Sequence, residues 1–155
     1  MKLEILLLGK TKDRYLQQGI SEFLKRLSRY TQVDLVEIKT PRHVDRPEKQ
    51  ILQQENDLLE RKIRKGSCRV VLDSGGRQYT SESFAEFITT LENQPVSTAC
   101  FIIGGPLGLA DEQRSRADHL VSLSRMTYTH DMTRLILLEQ LYRAYTIKAG
   151  TGYHK

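Results

Sequence analysis

Four groups of residues in this chain are of types that could do chemistry. The first is the stretch FIIGGPLGLADE, Phe101 to Glu112, where an apolar run ends on Gly104, Gly105 and Pro106. Glycine carries no β-carbon and accepts positive φ, so this stretch is either a tight turn or a place where a ligand lies against bare backbone. It is not a P-loop, since no Gly-Lys-Ser/Thr follows, and it is not the dinucleotide pattern GxGxxG. The second group is SRMTYTHD, Ser124 to Asp131, in which Arg125, Thr127, Tyr128, Thr129 and His130 crowd just before an apolar helix. Thr129 or Asp131 could cap that helix, and its free N–H groups would favour a nearby anion. The third is Glu139 and Arg143, spaced i, i+4, which either pair with each other or mark an interface or the rim of a site. The fourth is the tail GTGYHK, where Tyr153 could stack on a base and Lys155 could hold a phosphate, with the titratable His154 between them. A frayed terminus is the plainer reading of that tail.

Regular elements must position these groups. KLEILLLG (2–9) is a first strand ending on Gly9. Residues 12–30 place Leu16, Ile20, Phe23, Leu24 and Leu27 on one helical face. VDLVEIK (33–39) reads as a strand, 40–47 as a loop with two prolines, and 48–65 as a charged helix with Ile51, Leu52, Leu58, Leu59 and Ile63 inward. That helix ends in RKIRKG, where cations suit the carbonyl end and Gly66 suits a cap. CRVVLDS (68–74) is a buried strand followed by a turn at GGRQ. Residues 81–92 form a helix that Ser81 could cap. Then come the strand TACFIIGG, a short helix at 111–118, a short strand HLVSLS and a long helix over 131–149.

Strands alternate with helices throughout, and the strands are continuous apolar runs. That is the pattern of an α/β protein, a parallel sheet with helices on both faces. Ligands in such sheets bind beyond the carboxyl ends of the strands. The loops after Leu72, Ile103 and Leu123 are therefore the ones that matter. The helix over 131–149 is apolar nearly all round, which predicts burial on more than one side and points to a partner subunit.

The 155 residues fit one domain, 1–155, without linker or internal repeat, and 39% of them are hydrophobic. No apolar run approaches the ~18 residues of a membrane helix. The N-terminus is a poor signal peptide, with Glu4 inside a short apolar stretch, so the expected location is cytoplasmic and no membrane partner is expected. Cys68 and Cys100 each lie within an apolar run and belong to no Cys/His cluster, so two buried free thiols are expected and no metal. The net charge of +5 favours nucleic acid only modestly.

IIGGPLGL, LSRMTYTH, LLEQLYRA and the terminal YHK, taken in order, resemble the small bacterial SPOUT, or α/β-knot, methyltransferases that act on large-subunit ribosomal RNA. The resemblance runs from LLLGKTKDRY to the last residue. It implies a parallel sheet whose C-terminal part is a deep trefoil knot, which neither periodicity nor spacing reveals. It implies methyl transfer from S-adenosylmethionine to N3 of a pseudouridine in 23S rRNA, carried out by a homodimer on assembled ribosomes. By motif, Leu72, Gly104, Leu123, Ser124, Arg125, Met126, Thr127 and Tyr128 would contact the cofactor. A cofactor without phosphate also accounts for the missing phosphate-binding motif. His130 and His154 would be the candidate bases, with Arg143 and Lys155 as electrostatic helpers, and Tyr153 and Lys155 would contact RNA. One position departs from the family's pattern: Thr129 stands where a proline precedes the histidine. Two rivals come from other classes. A knotted RNA- or ribosome-binding protein without activity would carry the same charge. A flavodoxin-like nucleotide enzyme would need a phosphate-gripping first loop, which LLGKTKDRY is not.

Overall fold

The computed structural model describes residues 1–41 and 45–154. Five strands form one wholly parallel sheet: β1 (Lys2–Leu8), β2 (Val33–Ile38), β3 (Cys68–Arg77), β4 (Thr98–Ile103) and β5 (His119–Val121), in the order β2-β1-β4-β3-β5. Among the described residues five helices connect and follow them: α1 (Arg14–Leu27), α2 (Glu48–Glu60), α3 (Ser81–Glu92), α4 (Asp111–Ser115) and α5 (His130–Lys148). A short 3₁₀ turn, Gly152–His154, closes the chain.

The uniform apolar runs are explained by burial on both sides. All six residues of the central strand β4 are buried. Leu3, Ile5, Leu7, Val70, Ala99, Phe101 and Ile103 face α1, α3 and α5. Leu6, Leu8, Val71, Cys100 and Ile102 face the other way, onto Leu59 and Ile63 and the loop residue Leu109. Full burial of each such side chain is worth roughly 1.5–3 kcal/mol, so the two cores fix the sheet and leave its loops to vary. Cys68 and Cys100 are buried free thiols, as their apolar surroundings predict. Among the described residues no helix is long and apolar enough to cross a membrane.

Several details differ from the sequence reading: α4 stops at Ser115 and β5 at Val121, short of the 118 and 124 expected, and the ends of β3 and α2 and the cap of α3 differ for reasons visible in the packing. The strand β3 does not stop at Ser74 but runs through Gly75 and Gly76 to Arg77, which pairs with Val121 after a register shift. A β-carbon at Gly76 would lie 2.7 Å from the Leu120 and Val121 backbone, so the glycine is what lets β5 come alongside. Helix α2 ends at Glu60, because the amides of Lys62 and Ile63 both turn back to the Leu59 carbonyl and Ile63 tucks against the second core. Helix α3 is capped by Thr80 rather than Ser81: the Thr80 hydroxyl accepts from the Ser83 amide while Ser83 reaches back to the Thr80 amide.

Helix α5 is buried on two sides within this one chain, by α1 and by α3. No residue from Asp131 to Ile147 is fully exposed. The all-round apolar pattern is thus met in large part by intramolecular packing.

Candidate functional site

Three loops leave the carboxyl edge of the sheet and enclose a cleft of about 780 Å³, well within the range of small-molecule sites. The β4–α4 loop forms one wall. Gly104 leads into a closed turn in which the Gly108 amide donates to the Gly105 carbonyl at 3.0 Å and the two residues form an isolated bridge. A β-carbon on Gly104 would lie 2.6 Å from the Gly108 oxygen and 2.9 Å from Leu109 Cγ. Steric demand from the loop itself already requires glycine here, and the tight-turn reading is correct. Leu109 then plugs into the second core and anchors the turn.

The β5–α5 loop forms the second wall. Ser122 donates to the Ser124 carbonyl (2.9 Å), and the Ser124 hydroxyl accepts from the Met126 amide (2.9 Å), which folds the segment on itself. Met126 is left 74% exposed, and with Leu107 and Tyr128 it makes an exposed apolar rim around the cleft. Thr129 caps α5 by accepting from the Met132 amide at 3.2 Å. Its φ of −62° is the value a proline ring would impose, so the departure at this position keeps the backbone path and adds a cap.

The end of β3 supplies the third wall, with Leu72, Asp73 and Ser74. Asp73 accepts from the Gly75 amide (2.9 Å) and from Arg114 Nε (2.7 Å). Burial works to raise its pKa, but the Arg114 and Gly75 hydrogen bonds outweigh that and hold it below the usual carboxylate range. Arg114 is delivered by α4, which is itself fixed by the fully buried Gln113 donating to Asn56 (2.9 Å) and Glu60 (2.7 Å) on α2. Asp73 and Arg114 were missed in the sequence. The only signal for Asp73 was its place directly after an apolar strand, at the carboxyl edge.

Of the eight residues expected to contact a cofactor, the structure brings seven to the cleft: Leu72, Gly104, Leu123, Ser124, Met126, Thr127 and Tyr128. Arg125 is in the same loop but does not line the cavity. His130 does line it. Burial holds the His130 imidazole below its ordinary pKa, with Asp131 opposing and Arg134 and Lys12 adding to the depression. Its Nε2 lies 3.3 Å from Asp131 Oδ1, and that same oxygen is 3.1 Å from Nη1 of the fully buried Arg134.

The other expected residues gather elsewhere in this chain. The tail is not frayed. The Tyr153 hydroxyl donates to Glu139 at 3.2 Å, its ring meets Tyr142 edge-on at 4.7 Å, and Arg143 lies 4.9 Å over it. His154 Nε2 is 2.8 Å from Glu82. Glu139 and Arg143 pair, with Arg143 Nε at 3.0 Å from Oε1, and this contact raises the Arg143 pKa. Glu139 is nine residues along α5 from His130, ~14 Å at the helical rise. Arg143, Tyr153 and His154 therefore do not join His130 within one subunit. Lys155 lies outside the described residues. No group of three His, Cys, Asp or Glu among the described residues is placed to hold a metal ion.

Comparison with known proteins adds to this geometry. A family model described as "Predicted SPOUT methyltransferase" matches residues 1–154. Proteins called ribosomal RNA large subunit methyltransferase H are similar over their whole length and the whole of this chain: 48% identical in Desulfotalea psychrophila, 43% in Clostridioides difficile and 42% in Streptococcus uberis. A solved structure of a probable methylase family protein from Haemophilus influenzae Rd KW20 superposes with a TM-score of 0.54 at 10% identity, covering 99% of this chain and 70% of that one. That last likeness is one of fold.

Proposed function

The chain belongs to the SPOUT methyltransferase family, and we propose that it methylates 23S rRNA at N3 of a pseudouridine, in the cytoplasm, with S-adenosylmethionine as donor and assembled ribosomes as substrate. The observation that carries this reading is the cleft. Seven residues assigned to cofactor contact from sequence motifs converge there from three separate loops, with a histidine at the edge. The lining also suits the donor. It is mostly backbone, aliphatic side chains and hydroxyls; among the described lining residues there is no lysine, the Arg114 guanidinium is tied to Asp73, and the exposed Leu107, Met126 and Tyr128 offer apolar surface to an adenine or a methionine chain. The trefoil knot expected of the family belongs to the same proposal.

When bound, the donor supplies an electrophilic methyl group. What remains for the protein is to present N3 of the base and to deal with its proton. His130 fits that task. Asp131, 3.3 Å from Nε2, places a negative charge that favours the ring once it has taken up a proton. The depressed pKa keeps the ring neutral and able to take a proton at neutral pH. Holding the flipped-out base against the methyl would supply much of the rate by orientation alone.

Arg143, Tyr153, His154 and Lys155 enter the proposal through a second copy. Within one subunit the tail sits too far along α5 to reach the cleft, so a homodimer in which each tail serves the partner's cleft is the arrangement that gives it a role. Light scattering at micromolar concentration should then give about twice 17.9 kDa. The test of function is incubation of the protein with labelled donor and ribosomes lacking the modification, followed by nucleoside analysis. Methyl-pseudouridine in the 23S fraction is expected. Unmodified ribosomes, together with no heat of donor binding in calorimetry, would favour the non-enzymatic RNA-binding reading.

A further inference from the structure

We propose that the β1–α1 loop, residues 9–14, grips the RNA backbone beside the reaction centre, with Lys10, Lys12 and Arg14 as phosphate contacts. This rests on the reading of ribosomal RNA as substrate. Register places the loop: Leu7 of β1 pairs with Ile103 of β4, so the chain leaving β1 emerges next to Gly104 and the cleft.

The loop is held rigidly, and at a cost. Arg134 of α5 is 1% exposed, and burying a guanidinium is expensive unless it is well paired. Its Nη2 donates to the Leu8 carbonyl at 2.7 Å and its Nη1 to the Thr11 hydroxyl at 2.9 Å. Asp131 faces the same guanidinium and accepts from the Lys12 amide at 3.3 Å. Gln17 donates to the Thr11 carbonyl at 2.7 Å. A buried ion pair at the head of α5 thus locks the loop to the helix turn that carries His130.

What the loop displays is charge. Lys10, Lys12 and Arg14 are exposed, and none forms an ion pair with any described residue. Several cations elsewhere are engaged, Arg69 and Arg116 with Glu60, Arg114 with Asp73 and Arg143 with Glu139, while others such as Lys25, Lys62 and Lys65 also form no ion pair with a described residue but lie away from the cleft's edge of the sheet. Asp13 is the one acid in the loop, leaving it net positive. Exposed Lys39 extends the positive edge from the neighbouring strand β2. Tyr15, 64% exposed, adds a ring on which a base can stack. Exposed cations with an aromatic beside them fit an extended or looped RNA strand. They do not form the backbone cradle of a nucleotide phosphate.

The test is the full-length triple variant Lys10→Gln, Lys12→Gln, Arg14→Gln, with Lys62→Gln, Lys65→Gln as control at the amino end of the sheet. Two probes are used: ribosomes as methylation substrate, and a labelled single-stranded RNA oligomer for binding. Each lost phosphate contact should flatten the plot of log affinity against log salt by ~0.7, so about 2 for three contacts, or ~100-fold in affinity near 0.1 M salt. We expect the KM for ribosomes to rise at least ~30-fold with kcat and donor affinity kept, and the control to match wild type. A Lys10→Arg, Lys12→Arg variant should retain the KM, which excludes a folding defect as the cause. Wild-type salt slope and KM in the triple variant would overturn the proposal. So would weakened binding to ribosomes with unchanged binding to the oligomer, which would point to a protein surface instead. If wild type itself methylates no rRNA, the functional reading fails, while the oligomer's salt slope still judges the loop.

Discussion

Replacing Gly104 by alanine should damage this protein far more than the same change one residue later. On the observed backbone the new methyl at 104 would sit 2.6 Å from the Gly108 oxygen, 2.7 Å from the Gly108 carbonyl carbon and 2.9 Å from Leu109 Cγ. None of these can yield cheaply. Gly108 is tied to Gly105 by the turn's hydrogen bond, and Leu109 is only 5% exposed in the second core. Overpacking of this kind costs typically 1–3 kcal/mol. At Gly105 the nearest atom to a new methyl is a carboxylate oxygen of Glu55 at 3.4 Å, an ordinary van der Waals contact. For a chain of this size about 2 kcal/mol corresponds to ~6 °C in Tm. Differential scanning fluorimetry should therefore show Gly104→Ala melting about 6 °C below wild type and Gly105→Ala within ~2 °C of it. The shifted turn also carries Leu107 and Leu109 of the cleft wall, so calorimetry should show donor affinity reduced at least ~10-fold. A valine at 104 would meet the same backbone before it met any ligand, so it would not leave the fold intact while removing the cofactor, as bare access to the backbone had implied. Equal melting temperatures for Gly104→Ala and wild type would refute the steric reasoning.

Three further outcomes follow from named contacts. Deleting Tyr153–Lys155 should leave donor binding intact and lower methylation by at least ~100-fold, and a mixed dimer of this deletion with His130→Gln, whose tail is intact, should recover about half of wild-type activity if tails act across the interface. The His130 pKa is depressed in the fold, so the unfolded chain binds the extra proton first as pH falls; stability from this group is whole above about pH 6.5 and is lost below it, and urea midpoints between about pH 5 and 7 should show a slope that His130→Gln flattens. Burial pushes the Cys68 thiol up to about 11 and Cys100 up to about 12, so a thiol reagent at about pH 8 should modify neither in the native protein and both after unfolding.

By itself the sequence determined the alternation of elements, the parallel sheet and the three loops that matter. These follow from near-neighbour chemistry: an apolar run such as TACFII has to be buried on both faces, and the spacing of Leu16, Ile20 and Leu27 defines a helix face. The loops were legible because polar residues and glycines directly after such runs can only lie at the carboxyl edge. Tertiary structure decided what depends on distant partners. The glycines in β3 looked like a turn until β5, more than forty residues later, was seen lying against Gly76. Asp131 looked like a cap, yet its partners are Arg134 and the Lys12 amide, 119 residues away. The tail looked free, yet it folds onto Glu139, Tyr142 and Glu82. In each case the local sequence allows several conformations of similar energy. The choice among them is made by a contact that exists only once the chain has closed on itself, and no short-range pattern encodes that contact.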